Sequence, residues 1–181
     1  MNRLFERYKT NIAPTIQKEF GIGNVYAVPR LKKITVNVGV GKIAADQKML
    51  DAVVSTIQRI TGQKPVLIKS TKSISNFKLR KGMIVGVMAT LRGRRMYDFL
   101  DKLINVALPR VRDFQGINPQ SVDGHGTITI GFKEHIVFPE IRSDEIEAIH
   151  GLEVCITTTA TNSAQGHRLL ELLGMPFKKK Q

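Results

Sequence analysis

The chain has 181 residues and a formal net charge of +13 at pH 7, from 28 Lys and Arg against 15 Asp and Glu. Hydrophobic residues make up 42% of it, which excludes a disordered chain and suits a single domain over residues 1–181. The single cysteine, Cys155, excludes an internal disulfide framework and any metal site built from several cysteines, and the excess of cations favours a polyanionic partner.

The N-terminal segment predicts an amphipathic helix. One apolar stripe recurs every four residues and consists of Leu4, Tyr8, Ile12, Ile16 and Phe20. Pro14 lies inside this stripe, so we expect a kink or a restart of the helix there. Gly21 and Gly23 are expected to end it.

A strand, a helix and two further strands are predicted next. Residues 31–38 alternate, with Ile34, Val36 and Val38 on one face and Lys33, Thr35 and Asn37 on the other. Asp46 suits the N-cap of a helix that closes at Gly62. Strands are predicted over 66–70 and from about residue 83 to 91, joined by a polar stretch at 71–81.

The second half of the chain predicts two helices and two strands. Apolar residues from Met96 to Leu108 indicate a helix ending at Pro109, followed by a glycine-rich loop over 113–126. Residues 127–133 and 152–161 are rich in β-branched residues and predict strands. A last helix is predicted over 163–173, before a short basic tail.

This order of elements predicts an α+β fold. Its βαββαβ run is the split arrangement that forms a mostly antiparallel sheet with helices packed on one face, here with an N-terminal helix and two projecting loops. The second sheet face is then open, and alternation places Lys33, Thr35 and Asn37 on it, with Thr90 and Arg92 on another strand. A polar and basic sheet face is a common way to hold folded RNA.

The glycines after the first strand allow two interpretations. Gly39, Gly41 and Ala44 satisfy the spacing G-x-G-x-x-A, but a dinucleotide-binding fold also needs an acidic residue about 20 positions further on. Residues 52–97 contain none, and the segment lacks the spacing of a P-loop. We interpret it as a tight turn whose amides can meet an RNA phosphate. A nucleotide-dependent enzyme that uses residues 39–42 is the competing class.

No pattern in the sequence predicts catalysis or a metal centre. The four histidines, at 125, 135, 150 and 167, form no H-x-x-x-H pair. Cys155 is expected to be a small core or sheet residue, not a nucleophile. The acidic residues between Glu134 and Glu147 are interpreted as surface charges around a short helix. We therefore expect no metal, no cofactor, no small-molecule substrate and no enzymatic activity.

The positive charge is concentrated in the first part of the chain. Residues 1–98 hold 19 Lys and Arg against 5 Asp and Glu, whereas residues 99–181 hold 9 against 10. No acidic residue occurs between Asp51 and Asp98, a segment with ten cations. Solvated surfaces normally mix both signs, so this segment predicts contact with a polyanion.

The most informative stretch is a basic loop, residues 69–82, with the sequence KSTKSISNFKLRKG. Its cations can neutralise phosphates, and its serines, Thr71 and Asn76 offer short hydrogen-bonding groups. Phe77 either anchors the loop to the core, which is the expected role of a lone Phe, or stacks on an exposed base. As a segment between two strands, the loop can project beyond the body of the protein.

Short segments in a fixed order run along nearly the whole chain. They are VPR (28–30), KITVNVGVG (33–41), GQKP (62–65), the basic loop, TLRG (90–93), PRVRDF (109–114), FPEI (138–141), ITTTA (156–160) and PF (176–177). Each segment is weak alone, but the ordered set is specific. It resembles the large ribosomal subunit protein five family, the 5S-rRNA-binding family, in its bacterial form.

The resemblance implies a structural constituent of the large ribosomal subunit that binds 5S rRNA and large-subunit rRNA. In this family the sheet face and the strand ends grip 5S rRNA. The implied rRNA contacts in this chain are Lys33, Thr35, Asn37, Gln63, Lys64, Thr90 and Arg92.

The resemblance also implies two further contacts. The basic loop reaches toward the elbow of the P-site tRNA, which implies contacts at Lys69, Lys72, Ser73, Asn76, Phe77, Lys78, Arg80 and Lys81. The glycine-rich region faces the small-subunit head and forms an intersubunit bridge with small-subunit protein thirteen. The implied bridge residues are Arg110, Arg112, Asp113, Phe114, Gly116, Asp123, Gly124 and His125.

Neither export nor membrane insertion is predicted. Charged residues interrupt residues 1–20, and no stretch reaches the roughly 18 apolar residues of a membrane helix. We expect a cytoplasmic, ribosome-bound protein without a membrane partner, an organellar ribosome being the other setting. A free regulatory RNA-binding protein outside the ribosome remains the alternative function.

Overall fold

The fold is organised on an antiparallel β-sheet. The computed structural model describes residues 2–41, 46–141 and 149–178, and within them the sheet has five strands in the order β2-β3-β1-β5-β4. The strands are β1 (Leu31–Gly39), β2 (Val66–Lys69), β3 (Ile84–Leu91), β4 (Ile128–Phe132) and β5 (Leu152–Thr158). The α+β class predicted from the order of elements is confirmed.

Five α-helices lie before, between and after these strands in the described part of the chain. They are α1 (Arg3–Arg7), α2 (Ala13–Glu19), α3 (Gln47–Thr61), α4 (Gly93–Lys102) and α5 (Ser163–Leu173). A π-helical turn, Tyr8–Ile12, joins α1 to α2, and α4 continues through a π-helical turn, Leu103–Ala107, and a 3-10 turn, Leu108–Arg110. Within the described ranges, no helix has the length and apolar character needed to cross a bilayer.

The irregularity predicted at Pro14 is this first π-helical turn. Pro14 has no amide hydrogen to donate, so the regular helical bond cannot form there. The amide of Ala13 donates instead to the carbonyl of Tyr8, five residues back. The apolar stripe stays continuous, with Leu4, Tyr8, Ile12 and Ile16 all buried.

The predicted ends of α3 are confirmed. The carboxylate of Asp46 accepts hydrogen bonds from the amides of Lys48 and Met49, at 3.0 and 3.4 Å. At the other end Gly62 has a φ of 66°, a left-handed conformation that stops the helix. Between these ends one side of the helix is buried, through Leu50, Val53, Ile57 and Ile60.

One face of the sheet is buried and the other is open. Along β1, the side chains of Ile34, Val36 and Val38 are at most 1% exposed, and the residues between them are half-buried. β3 alternates in the same way after Gly86, with Val87, Ala89 and Leu91 buried. The alternation predicted on β1 is therefore confirmed, and Thr90 lies on the open side of β3. The placement of Arg92 on that strand is wrong, because β3 ends at Leu91 and Arg92 is the N-cap residue of α4.

The chain forms two compact units. The first comprises residues 1–34, 91–129 and 155–181, and the second comprises 35–90 and 130–154. Helices of the first unit are joined by ion pairs, between Arg3 and Asp101 at 2.9 Å and between Arg168 and Glu19 at 2.6 Å. In the second unit α3 supplies the apolar side described above.

Two glycines of the first unit allow an unusually close approach of backbones. Gly126 precedes β4 with a φ of 70°, and its Cα lies against that of Gly166 on α5. The hydroxyl of Thr158 donates to the Gly126 carbonyl at 3.0 Å. A Cβ on Gly126 would lie only 2.7 Å from the side chains of Ala160 and Thr158.

We predict that Gly126→Ala lowers the free energy of unfolding by about 2–4 kcal/mol, because it adds both a steric clash and a strained φ. Urea unfolding followed by circular dichroism measures the change. Gly131→Ala is the matched control, since a Cβ there meets nothing within 4 Å. Equal stability of the two variants would contradict the close packing of Gly126.

Candidate nucleic-acid interface

The open side of β1 carries the polar residues that the sequence placed there. Lys33, Thr35 and Asn37 alternate with fully buried residues and are each half-buried. Neither the Thr35 hydroxyl nor the Asn37 amide hydrogen-bonds to any part of the chain that the structure describes. Such groups, fixed on a strand and unpaired, are available to RNA riboses, phosphates and base edges.

A buried glycine lies beside Asn37 on the neighbouring strand. Gly86 of β3 has no side chain, and a Cβ placed on it would lie 3.5 Å from Asn37 Oδ1 and 3.8 Å from Ile68 Cβ. Ile68 of β2 pairs directly with Gly86 in the sheet. A glycine inside a strand is a signal of close approach by neighbouring atoms, and here Asn37 and Val38 of β1 make that approach.

Gln63 and Thr90 are brought together at the strand ends. Gln63 Nε2 donates to the Thr90 carbonyl at 3.2 Å, which fixes the segment after α3 against the end of β3. The Thr61 hydroxyl donates to the carbonyls of Ile57 and Gln63, at 2.7 and 3.1 Å. Lys64, next to this bonded pair, is exposed.

Cations stand next to these polar groups in the sequence. Lys33 and Arg92 belong to the first unit, and Lys64 to the second. Arg92 is the N-cap residue of α4, is exposed, and makes no capping hydrogen bond with its side chain. None of the three forms an ion pair with a residue in the described ranges, so their charges are not compensated there.

The basic loop of the second unit is an ordered hairpin. Ile74 and Leu79 exchange two backbone hydrogen bonds, at 3.0 and 3.1 Å. At its base Ser70 donates to Met83 at 2.8 Å and accepts from Gly82 at 2.9 Å. A 3-10 turn, Ser75–Phe77, closes the hairpin. These backbone hydrogen bonds hold the hairpin together.

The polar side chains of this loop divide into two groups. Ser73 Oγ accepts from the Lys81 amide at 3.0 Å, so part of its hydrogen-bonding capacity is used inside the hairpin. Asn76 is exposed and has no side-chain partner among the described residues. The loop cations are also exposed and outside every ion pair described; they are Lys69, Lys72, Lys78, Arg80 and Lys81.

Phe77 does not anchor the loop to the core, and that expectation is wrong. Its side chain is 73% exposed, and Ile74 beside it is 42% exposed. The hairpin is held by backbone hydrogen bonds, so it does not require an apolar anchor. Lys78 follows in a left-handed conformation, with a φ of 51°, which closes the turn that carries Phe77.

The glycine-rich segment is fastened to the C-terminal part of the first unit. Ile117 donates to the Pro176 carbonyl at 2.8 Å, and Lys178 donates to the Ile117 carbonyl at 2.9 Å. Gly116 has a φ of 91°, and a Cβ on it would lie 3.0 Å from the Lys178 nitrogen. Among the residues implied in the bridge, Phe114 is half-buried, whereas Arg110, Arg112 and Asp113 are exposed.

Asp123 organises the turn that follows. Its carboxylate accepts from the amides of His125 and Thr127, at 2.9 and 2.7 Å. Gly124 and His125 are exposed at this turn. Asp123 therefore fixes the backbone of this turn, and the exposed Gly124 and His125 form its outer surface.

The remaining histidines and acidic residues form no metal-binding group in the described part of the chain. His135 and His150 stack with ring centres 4.1 Å apart, and burial lowers the pKa of both, which keeps them neutral at pH 7. No group of three His, Cys, Asp or Glu residues in the described ranges could hold a metal ion. Cys155 is a half-buried free thiol on β5.

Two predicted features lie partly outside the described residues. The glycine turn after β1 extends into residues 42–45, and the acidic segment with its short predicted helix falls mostly within 142–148.

Comparison with protein families matches both halves of the chain. The model of ribosomal protein L5 matches residues 24–80, and the model of the C-terminus of the same ribosomal family matches residues 84–177.

Curated proteins match over the whole chain. Large ribosomal subunit protein uL5 of Halothermothrix orenii is 50% identical over 179 residues, covering 99% of this chain and 100% of that protein. The protein of the same name from Desulfatibacillum aliphaticivorans is 52% identical, with the same coverage. That of Thermoanaerobacter sp. strain X514 is 49% identical, again covering 99% of this chain and 100% of the relative.

Proposed function

Because the chain belongs to the ribosomal protein L5 family, and is therefore a structural, ribosome-bound constituent of the large subunit and not an enzyme, we propose that it binds 5S rRNA through the open side of β1 and β3. The same proposal includes contact with large-subunit rRNA, with P-site tRNA through the basic loop and with the small-subunit head through the glycine-rich segment. Its setting is the cytoplasmic ribosome.

The observation that carries the 5S rRNA contact is the set of unpaired polar groups on the open sheet face. Thr35 and Asn37 are fixed by the strand and offer donors and acceptors at short reach. Gln63 is held to Thr90, and Lys64 stands beside it as a cation. Short polar groups with neighbouring cations suit an RNA surface recognised by shape, ribose hydroxyls and phosphates.

We predict that Asn37→Asp weakens 5S rRNA binding by roughly ten-fold, because it places a negative charge among RNA phosphates. If about six phosphates are contacted, log K should fall against log salt with a slope of roughly −4. Fluorescence anisotropy with labelled 5S rRNA measures both.

Ser55→Asp on the exposed side of α3 adds the same charge outside the proposed surface and is the control. Absence of 5S rRNA binding, or binding insensitive to salt, would contradict the proposal. Equal effects of the two substitutions would exclude β1 as the contact.

The basic loop supports the proposed tRNA contact. It is an ordered hairpin that presents uncompensated cations together with an exposed aromatic side chain. Cations bind the phosphates of the tRNA backbone, and the Phe77 ring can stack on a base at its elbow. The hairpin lacks any acidic residue, which removes repulsion along its whole length.

We predict that ribosomes carrying Lys72→Ala, Lys78→Ala and Arg80→Ala together bind P-site tRNA more weakly, while the free protein keeps its 5S rRNA affinity. Filter binding of labelled tRNA to purified ribosomes measures the first effect. The control replaces Arg7, Lys18 and Lys133, which are exposed and outside the proposed contacts, by Ala. If the loop variant loses both affinities equally, the hairpin belongs to the 5S rRNA site instead.

The glycine-rich segment supports the proposed bridge to small-subunit protein thirteen. Arg110, Arg112 and Asp113 are exposed on a segment whose backbone is fixed by Gly116 and Ile117. The turn at Asp123 fixes the exposed His125 in the same way. Both charge signs on a fixed backbone suit a protein partner as well as RNA.

We predict that Arg110→Ala with Arg112→Ala slows association of the two ribosomal subunits several-fold, because exposed interfacial charges mainly govern the association rate. Light scattering after mixing of purified subunits measures the rate. Arg7→Ala with Lys18→Ala is the control, with the same loss of charge. Unchanged association would remove these arginines from the bridge.

A further inference from the structure

The three tyrosines of the chain fall into two classes. The hydroxyl of Tyr8 donates to the Pro29 carbonyl at 3.0 Å, and the Tyr97 ring packs on Phe5 with centres 5.0 Å apart. Both are at most 9% exposed, whereas Tyr26 is 90% exposed. The hydroxyl of Tyr26 has no hydrogen-bond partner among the residues described. Its ring therefore contributes little to the folded unit.

The backbone that carries Tyr26 is fixed. Asn24 Oδ1 accepts from the Tyr26 amide at 2.9 Å and caps the 3-10 turn Val25–Ala27. The amide of Ala27 donates to the Asn24 carbonyl at 3.0 Å, and the following Val28 is 3% exposed. An aromatic ring on a fixed turn loses little conformational entropy when it binds a partner.

The segment that contains this turn carries charges of one sign. No Asp or Glu lies between Glu19 and Asp46, and Arg30 and Lys32 are exposed at the entry to β1. The backbone of Arg30 is held by Thr159, through bonds of 3.0 and 2.8 Å. Glu19 itself is paired with Arg168 at 2.8 and 2.6 Å, so its charge is compensated.

We propose that Tyr26 is a stacking platform for an unpaired rRNA base, with Arg30 and Lys32, four and six residues further along the chain, binding the adjoining phosphates. An exposed aromatic ring in a segment that carries cations and no acidic residue is the chemistry by which proteins hold unpaired nucleotides. A protein partner would instead enclose the ring in an apolar pocket. The inference rests on the proposed rRNA binding and adds a contact outside the residues assigned to it.

The test uses Tyr26→Trp in the full-length protein. The chain contains no Trp, so this side chain is the only tryptophan of the free protein, and in large subunits its signal is the difference from subunits that carry the wild-type protein. It is excited at a wavelength where RNA absorbs little. Stacking on a base quenches its emission. Quenching on addition of 5S rRNA alone identifies a base of 5S rRNA. Quenching only in purified large subunits that contain the variant identifies a base of large-subunit rRNA. We expect one of these two results. Ultraviolet cross-linking with mass spectrometry then identifies a nucleotide attached at position 26.

Affinity measurements on the rRNA identified in this way separate stacking from simple apolar contact. Tyr26→Ala should weaken binding by roughly ten-fold, which is typical of one lost base stack. Tyr26→Phe keeps the ring and should bind as the wild type does, whereas Tyr26→Leu should resemble Tyr26→Ala. For a base of large-subunit rRNA, retention of the protein on salt-washed large subunits replaces the 5S rRNA titration.

The platform would be overturned if the introduced tryptophan stayed unquenched in both complexes, or if position 26 cross-linked to a protein. It would also be overturned if Tyr26→Leu bound as tightly as the wild type. These results differ from failure of the proposed function. If 5S rRNA binding responds to Asn37→Asp but not to any Tyr26 substitution, and large subunits show no quenching, only the platform is lost. If 5S rRNA does not bind at all but the tryptophan is quenched in large subunits, the platform stands alone.

Discussion

One-sided burial of the β-sheet is the constraint on which the rest depends. Because successive side chains of a strand point to opposite faces, burying Ile34, Val36 and Val38 forces Thr35 and Asn37 onto the other face. The buried side supplies the hydrophobic stabilisation, at about 25 cal/mol per Å² of apolar surface. The open side is thus free to carry polar groups whose hydrogen-bonding capacity is unused by the fold.

Acidic residues occur where helices pack, and they are absent from the two surfaces proposed to bind RNA. In the first unit the acidic residues serve helix packing, as in the pairs of Glu19 with Arg168 and Asp101 with Arg3. The basic hairpin and the open side of β1 have no acidic residue, and their cations are uncompensated within the described part of the chain. Such an arrangement costs self-repulsion in the free protein. The phosphates of bound RNA neutralise these cations and remove the repulsion. The net charge of +13 therefore suits a protein of the ribosome.

Patterns among neighbouring residues predicted the helices and strands well. They could not predict contacts between segments that are distant in the chain. Alternation on β1, the Asp46 cap and the Gly62 stop depend on neighbouring residues, and the structure confirms each. Phe77 is exposed because backbone hydrogen bonds hold the hairpin, and its sequence does not reveal those bonds. The contact of Gly126 with Gly166 joins segments that are distant in the chain, so hydrophobic periodicity could not predict it. The ribosomal family was inferred from an ordered set of segments and is confirmed by the comparisons. Individual RNA contacts remain predictions, because a single chain carries no trace of which nucleotide it meets.

The central claim is that RNA is bound on the open side of the sheet and not on its helices. Backbone amide chemical shifts of the isotope-labelled protein, titrated with 5S rRNA, test it most directly. The account predicts the largest changes at Thr35, Asn37 and Thr90, with little change along the exposed side of α3, including Ser55. Changes concentrated on α3, with β1 and β3 unaffected, would contradict it.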